Sequence, residues 1–191
     1  MKPQELIQLM KIAENLKNNT RHSWTSKGRH ESVAEHSYRL CFMALFLKDE
    51  FPDADMDKVI RMCIMHDIGE AFTGDIPTFE KTGEDEKKEE NVVNQFIENL
   101  PELYRTELGE LFEEMNALES KEAKIYKALD KMEAVIQHNE ADITTWLPLE
   151  YELQLNYGEK ETAFSPYMKA LKEAANADTR KKIEEEQNRL I

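Results

Sequence analysis

Residues 59–70 read Val59-Ile60-Arg61-Met62-Cys63-Ile64-Met65-His66-Asp67-Ile68-Gly69-Glu70. An apolar run up to Met65 gives way to two adjacent titratable residues, with Glu70 one helical turn beyond His66. The spacing predicts the end of a core helix whose His, Asp and Glu face a loop containing Gly74. Burying an ionised Asp beside so much hydrocarbon is costly unless a cation or several donors compensate it. A metal site meets that demand. A capped helix end with a hydrogen-bonded core histidine meets it too, and this stretch alone does not choose.

Working outward, Ser32-Val33-Ala34-Glu35-His36-Ser37 opens a second helix, with Ser32 as N-cap and Glu35 completing a capping box. On that helix His36 falls within the stripe Val33, Leu40, Met43, Ala44 and Leu47. A lone inward His is usually a satisfied core residue. A second one on a neighbouring helix changes the reading, because His36, His66 and Asp67 together form a borderline ligand set suited to Zn, Mn, Co or Fe(II). A fourth ligand has to come from elsewhere. Asp130 borders the stripe Ile125, Leu129, Met132 and Ile136, and spacing does not prefer it over Glu133. His138 points opposite that stripe and is expected to be exposed. His22 and His30 lie in a polar segment without periodicity.

The rest of the chain reads as helix. Lys2–Lys17 carries Leu6, Leu9, Met10, Ala13 and Leu16 on one stripe, and 18–31 reads as an ordered loop. The Ser32 helix is expected to run to about Glu50. A third, opened by Pro52 and its aspartates, is expected to end near Phe72. After a loop through about Gly83 come helices at about 84–99, 101–115, 120–144, 149–157 and 166–191. The last third, 178–191, is mostly charged and suits a solvated end better than a partner-binding helix. No strand pattern or repeat is visible, so the fold class is all-α in one domain.

Composition agrees. The chain has 191 residues, 40% of them hydrophobic, and only six Gly and six Pro. It can bury a core without staples. Cys41 and Cys63 sit apart in apolar runs, which suits a reduced, cytoplasmic protein. No basic-apolar leader opens the sequence, and no apolar run reaches the roughly 20 residues of a membrane span. A net charge of −14 disfavours nucleic acid as a partner. It leaves room for a small phosphorylated molecule, because a metal and an arginine reverse the sign locally.

The order His36, then His66-Asp67, then Asp130 resembles the H…HD…D signature of the HD phosphohydrolase superfamily. With Ser32–Ser37, His66–Glu70 and Thr73-Gly74-Asp75-Ile76-Pro77, it resembles the 5'-deoxynucleotidase branch, shared by eukaryotic HD-domain proteins of similar length. The likeness covers roughly residues 5–140. It implies one HD domain over 1–191, with the metal-site core at about 5–140 and C-terminal helices at about 147–191. It also implies that His36, His66, Asp67 and Asp130 hold one divalent ion (Co, Mn, Zn, Fe or Mg). By the same resemblance Glu70 and Asp75 position the attacking water and handle its proton, and Arg21 binds phosphate. Trp24 matches an aromatic residue that packs on the sugar; in some bacterial members it follows the arginine directly, whereas His22-Ser23 intervene here. Bacterial members pair as homodimers, so a homodimer is expected.

The implied activity is removal of the 5'-phosphate from a nucleoside monophosphate. Two other readings stand beside it: another HD hydrolase, acting on a cyclic nucleotide, a nucleoside triphosphate or an organophosphonate, and a non-catalytic metal-bearing scaffold. A two-metal phosphodiesterase is disfavoured, since the chain has five His and none follows His66 closely enough to bridge a second ion. A scaffold has no need of both Glu70 and Asp75.

Overall fold

Among the described residues of the computed structural model, 1–189, ten α-helices dominate. Helix α1 (Pro3–Asn18) leads into strands β1 (Thr20–Trp24) and β2 (His30–Ser32), then α2 (Val33–Leu45), α3 (Met56–Met65) and the short α4 (Glu70–Thr73). Helices α5 (Gly83–Glu98), α6 (Glu102–Ala117) and α7 (Lys121–Glu140) follow. A 3-10 turn (Ile143–Thr145) precedes α8 (Glu150–Asn156), α9 (Glu159–Thr162) and α10 (Pro166–Arg189). Leu190 and Ile191, the expected end of the last helix, lie outside the described residues.

Helix α7 is the axis of the core. Its apolar side chains Ile125, Leu129, Met132 and Val135 are buried, and α2, α3 and α10 pack around it. This burial overturns one expectation. His138, expected to be exposed, is buried with its ring stacked on Trp146, 4.6 Å between centroids. Periodicity places a residue opposite the main apolar stripe, but a helix wrapped on several sides has no solvent face there.

The N-terminus of α2 forms as its sequence dictates. Glu35 N donates to Ser32 Oγ, and Ser32 N donates to Glu35 Oε2 at 2.9 Å. The helix stops at Leu45 rather than near Glu50, because the chain turns there to bury Leu47 and Phe51, the latter stacking on Phe164. Helix α3, capped by Asp55, likewise stops at Met65 instead of running on to Phe72. A turn follows, and at Gly69 the backbone comes so close to α5 that a Cβ would lie 2.6 Å from Glu89 Cγ.

The segment read as an ordered loop holds a small antiparallel hairpin, pairing Thr20 with Ser32 and Trp24 with His30. Strands of five and three residues, lined mostly by polar side chains, are too short to reveal alternation. Gly28, at φ 77°, closes the turn. Helix α1 is less buried than its stripe suggests: Leu16 joins the core, while Leu6 and Met10 stay exposed.

Candidate metal centre

Four elements converge on one point. Strand β1 brings Arg21, α2 brings His36, the end of α3 brings His66 and Asp67, and α7 brings Asp130. His36 Nε2 lies 3.3 Å from Asp130 Oδ1 and 3.9 Å from Asp67 Oδ2. His66 Nε2 lies 2.9 Å from Asp67 Oδ2 and 3.9 Å from Asp130 Oδ1.

Each imidazole has its other nitrogen engaged. His36 Nδ1 pairs with Glu133 Oε2, and His66 Nδ1 sits 2.9 Å from the carbonyl oxygen of Cys63. An acceptor at Nδ1 makes that nitrogen the donor in a neutral ring, so Nε2 carries the lone pair. Both Nε2 atoms and Asp67 Oδ2 are buried without a hydrogen-bond partner. Such orphaned atoms are rare in a folded protein. A divalent cation among them satisfies all three at once, and two nitrogens with two carboxylates form a borderline donor set. The residues present therefore fit a metal ion, which His36, His66, Asp67 and Asp130 could hold. Spacing left Asp130 and Glu133 equivalent; the structure places Asp130 at Nε2 of His36 and Glu133 at Nδ1.

Charge is distributed unevenly here. Burial works against an ionised Asp67, yet its contacts with the His66 and His36 imidazoles and the Arg21 guanidinium hold it well below the usual carboxylate range. Burial likewise opposes an ionised Asp130, and Lys127 and Lys131 outweigh it. Glu70 goes the other way. Burial first, then the charges of Asp67 and Asp75, push it up to about 10. Burial also raises Asp75. A divalent cation beside these carboxylates pulls both back toward the ionised form.

A cavity of about 270 Å³ opens over this centre. Its lining includes Arg21, Asp67, Glu70, Asp75 and Asp130, together with Lys81, Lys127 and Lys131. Arg21 reaches Asp67 at 3.6 Å and Glu31 at 3.4 Å. Another part of the lining is His22, His138 and Glu150, whose carboxylate lies 3.0 Å from His22 Nε2 and 3.4 Å from His138 Nε2.

The structure thus brings together Arg21, His36, His66, Asp67, Glu70, Asp75 and Asp130. It does not bring Trp24. The Trp24 ring packs on His30, 4.0 Å between centroids, and its carbonyl accepts a hydrogen bond from Gln137, turned away from the cavity lining. Phe79 and Tyr157 supply the aromatic surface instead. Sequence reasoning missed Glu31, Lys127 and Lys131 as parts of the site, and weighed Glu133 as an alternative ligand to Asp130 rather than as the partner of His36 Nδ1. Glu31 sits in a segment with no periodicity. The lysines flank Asp130 at positions that a helical wheel assigns to solvent.

The chain resembles known proteins in sequence and in fold. A family model described as HD domain matches residues 13–172. The chain is 36% identical over 139 residues to the 5'-deoxynucleotidase HDDC2 of Homo sapiens, covering 71% of this chain and 67% of that protein. It is 27% identical over 164 residues to the 5'-deoxynucleotidase hdd1 of Schizosaccharomyces pombe, covering 82% and 76%. Its fold matches that of a predicted metal-dependent phosphohydrolase from Magnetospirillum magnetotacticum with a TM-score of 0.76 at 24% identity, over 93% of this chain and 92% of the other.

Proposed function

This chain belongs to the HD-domain family, and from that premise we propose that it is a metal-dependent phosphohydrolase releasing the 5'-phosphate of (deoxy)nucleoside monophosphates. The observation that carries this reading is the convergence of two orphaned imidazole nitrogens and two carboxylates beneath a cation-lined cavity. Phosphate monoesters hydrolyse so slowly unaided that a catalyst must supply both a nucleophile and charge neutralisation. A divalent ion held by His36, His66, Asp67 and Asp130 supplies positive charge at the phosphoryl group and lowers the pKa of water.

The chain's own residues do the rest. Arg21, held charged by Asp67 and Glu31, offers a planar donor pair to phosphate oxygens. Glu70 and Asp75 line the same cavity and orient a water, with Glu70 taking its proton. Glu133 and Cys63 hold the two imidazoles in the tautomer that ligation needs.

Three further statements belong to the same proposal. The 1–191 chain forms one HD domain. Two copies associate through the outer face of α2, where Tyr38, Phe42, Leu45 and Phe46 are all exposed and neighbouring rings lie 6.2 and 5.0 Å apart. The protein works in the cytoplasm, where Cys41 and Cys63 stay as free thiols. No helix among the described residues is long and apolar enough to cross a membrane.

The test is hydrolysis, read by chromatographic separation of the nucleoside and nucleotide products, of a panel of 5'-deoxyribonucleotides, 5'-ribonucleotides, 3'-monophosphates, nucleoside triphosphates and cyclic nucleotides, with Mn, Co, Mg, Zn or Fe(II) supplied. Turnover of 5'-monophosphates that a chelator abolishes is expected. Turnover confined to cyclic nucleotides or triphosphates overturns the reading.

A further inference from the structure

Lys127 and Lys131 carry more charge than their visible partner needs. Lys127 Nζ lies 2.9 Å and Lys131 Nζ 3.4 Å from the same oxygen, Asp130 Oδ2. The other oxygen of that carboxylate, Oδ1, faces His36 and His66. The two ammonium groups therefore sit one carboxylate away from the metal position, on the Asp130 side. Arg21 lies on the Asp67 side, 3.6 Å from Asp67 Oδ2, the oxygen that itself faces His36 and His66. One cation accompanies Asp67 and two accompany Asp130.

Donor accounting points the same way. An ammonium has three N–H groups. Lys127 gives one to Asp130, and Lys131 has Asp130 and the Tyr157 hydroxyl, the latter at 2.9 Å. Both lysines line the cavity, so their remaining donors are available to what enters it. Lys131 is also held in place. Gly158, at φ 79°, approaches its stem so closely that a Cβ there would lie 2.8 Å from Lys131 Cβ.

We propose that Lys127 and Lys131, with Arg21, form a three-cation clamp for the terminal oxygens of the substrate's phosphate. The proposal rests on the phosphohydrolase reading above and adds a set of recognition residues to it. A phosphate monoester is a dianion approaching a chain of net charge −14; the Asp67 and Asp130 carboxylates cancel the formal charge of a divalent ion, so Arg21 alone leaves one of the two negative charges unmet. Lysines serve as point charges for phosphate, while the arginine fork fixes its orientation.

The test uses metal-loaded protein and inorganic phosphate as the probe. Calorimetric titration at saturating Mn²⁺ compares the parent with Lys127→Met, Lys131→Met and Lys131→Arg, and metal affinity is titrated separately. Each Met variant is expected to bind phosphate roughly 10–100-fold more weakly, the loss typical of one charge-assisted hydrogen bond, with Lys131→Arg close to the parent. If Lys127→Met does not fold, Lys127→Gln, which keeps a donor for Asp130, is expected to show the same loss. Phosphate affinities within about twofold of the parent in the neutral variants, with only metal affinity reduced, would mean that the lysines serve Asp130 alone and would overturn the clamp. A parent that binds no phosphate at millimolar concentration overturns it too. No turnover enters the titration, so phosphate binding without nucleotide hydrolysis would fail the nucleotidase reading separately.

Discussion

At the scale of single residues, the site divides into atoms that hold, atoms that orient and atoms that move protons. Glu70 belongs to the last group. It is 5% exposed, lines the cavity, and its Oε2 has no hydrogen-bond partner. Glu70→Gln keeps its size and hydrogen bonding and removes its basicity. Metal content and nucleotide affinity are expected to hold while kcat falls by about 10²–10⁴-fold. Parent-like turnover would remove Glu70 from the chemistry, and activity lost together with the metal would move it among the ligands. Glu133 tests the orienting role. Fully buried against His36 Nδ1, it fixes which nitrogen is free, so Glu133→Leu is expected to weaken metal binding by about 10–100-fold in a metal titration. The His66-Asp67 pair and His36 were legible because titratable groups inside apolar runs stand out. Glu133 was not, since telling the two faces of one imidazole apart needs coordinates. Trp24 rests on a motif match, which carries no direction: its ring lies on His30, so Trp24→Ala is expected to leave the ratio of kcat/KM for deoxy- and ribonucleotides unchanged.

At the scale of elements, helices with strong caps were read well and interruptions were not. The Ser32–Glu35 box predicts the start of α2 because both partners of its hydrogen bonds are local. Its early end at Leu45 depends on Phe51 finding Phe164, a contact more than 100 residues away in sequence that no local rule sees. The junction between α8 and α9 is a similar long-range event. Gly158 adopts φ 79°, and a Cβ there would meet Met132 Cε at 2.7 Å and Lys131 Cβ at 2.8 Å. Gly158→Ala combines a left-handed backbone penalty with overpacking against α7, for a loss of about 2–4 kcal/mol. Urea unfolding of the metal-free protein measures it. A midpoint unchanged from the parent would show that α8 and α9 move off α7 freely, and would weaken the view that Tyr157 and Lys131 are held in place.

For the whole molecule, the C-terminal helices matter because α8 contributes Glu150, Leu153 and Gln154 to the cavity, with Tyr157 at its C-cap, and α10 holds α8 in place. The sequence showed those helices but not their attachment, because the tie is an amine buried among polar groups. Lys172 is 5% exposed; its Nζ donates to the Gln154 carbonyl at 2.9 Å and to Asn176 Oδ1 at 2.7 Å. Both partners are neutral, so burial dominates and the ammonium is pushed down to about 8 from 10.5. The sign of the consequence follows from proton counts. Below about pH 8 the folded and unfolded chains both carry the proton, and the whole cost of burying the charge is present. Between about pH 8 and 10.5 the unfolded chain holds more protons on this residue than the folded one, so stability rises with pH through that window. Lys172→Met removes the titration and fills similar space. The lysines, tyrosines and thiols common to both proteins cancel in the difference between their melting temperatures. Parent minus variant is expected to stay level up to about pH 7.5 and then to climb steadily toward pH 10. A difference that stays flat over the whole range would place the ammonium in contact with water and remove the buried tie between α10 and α8.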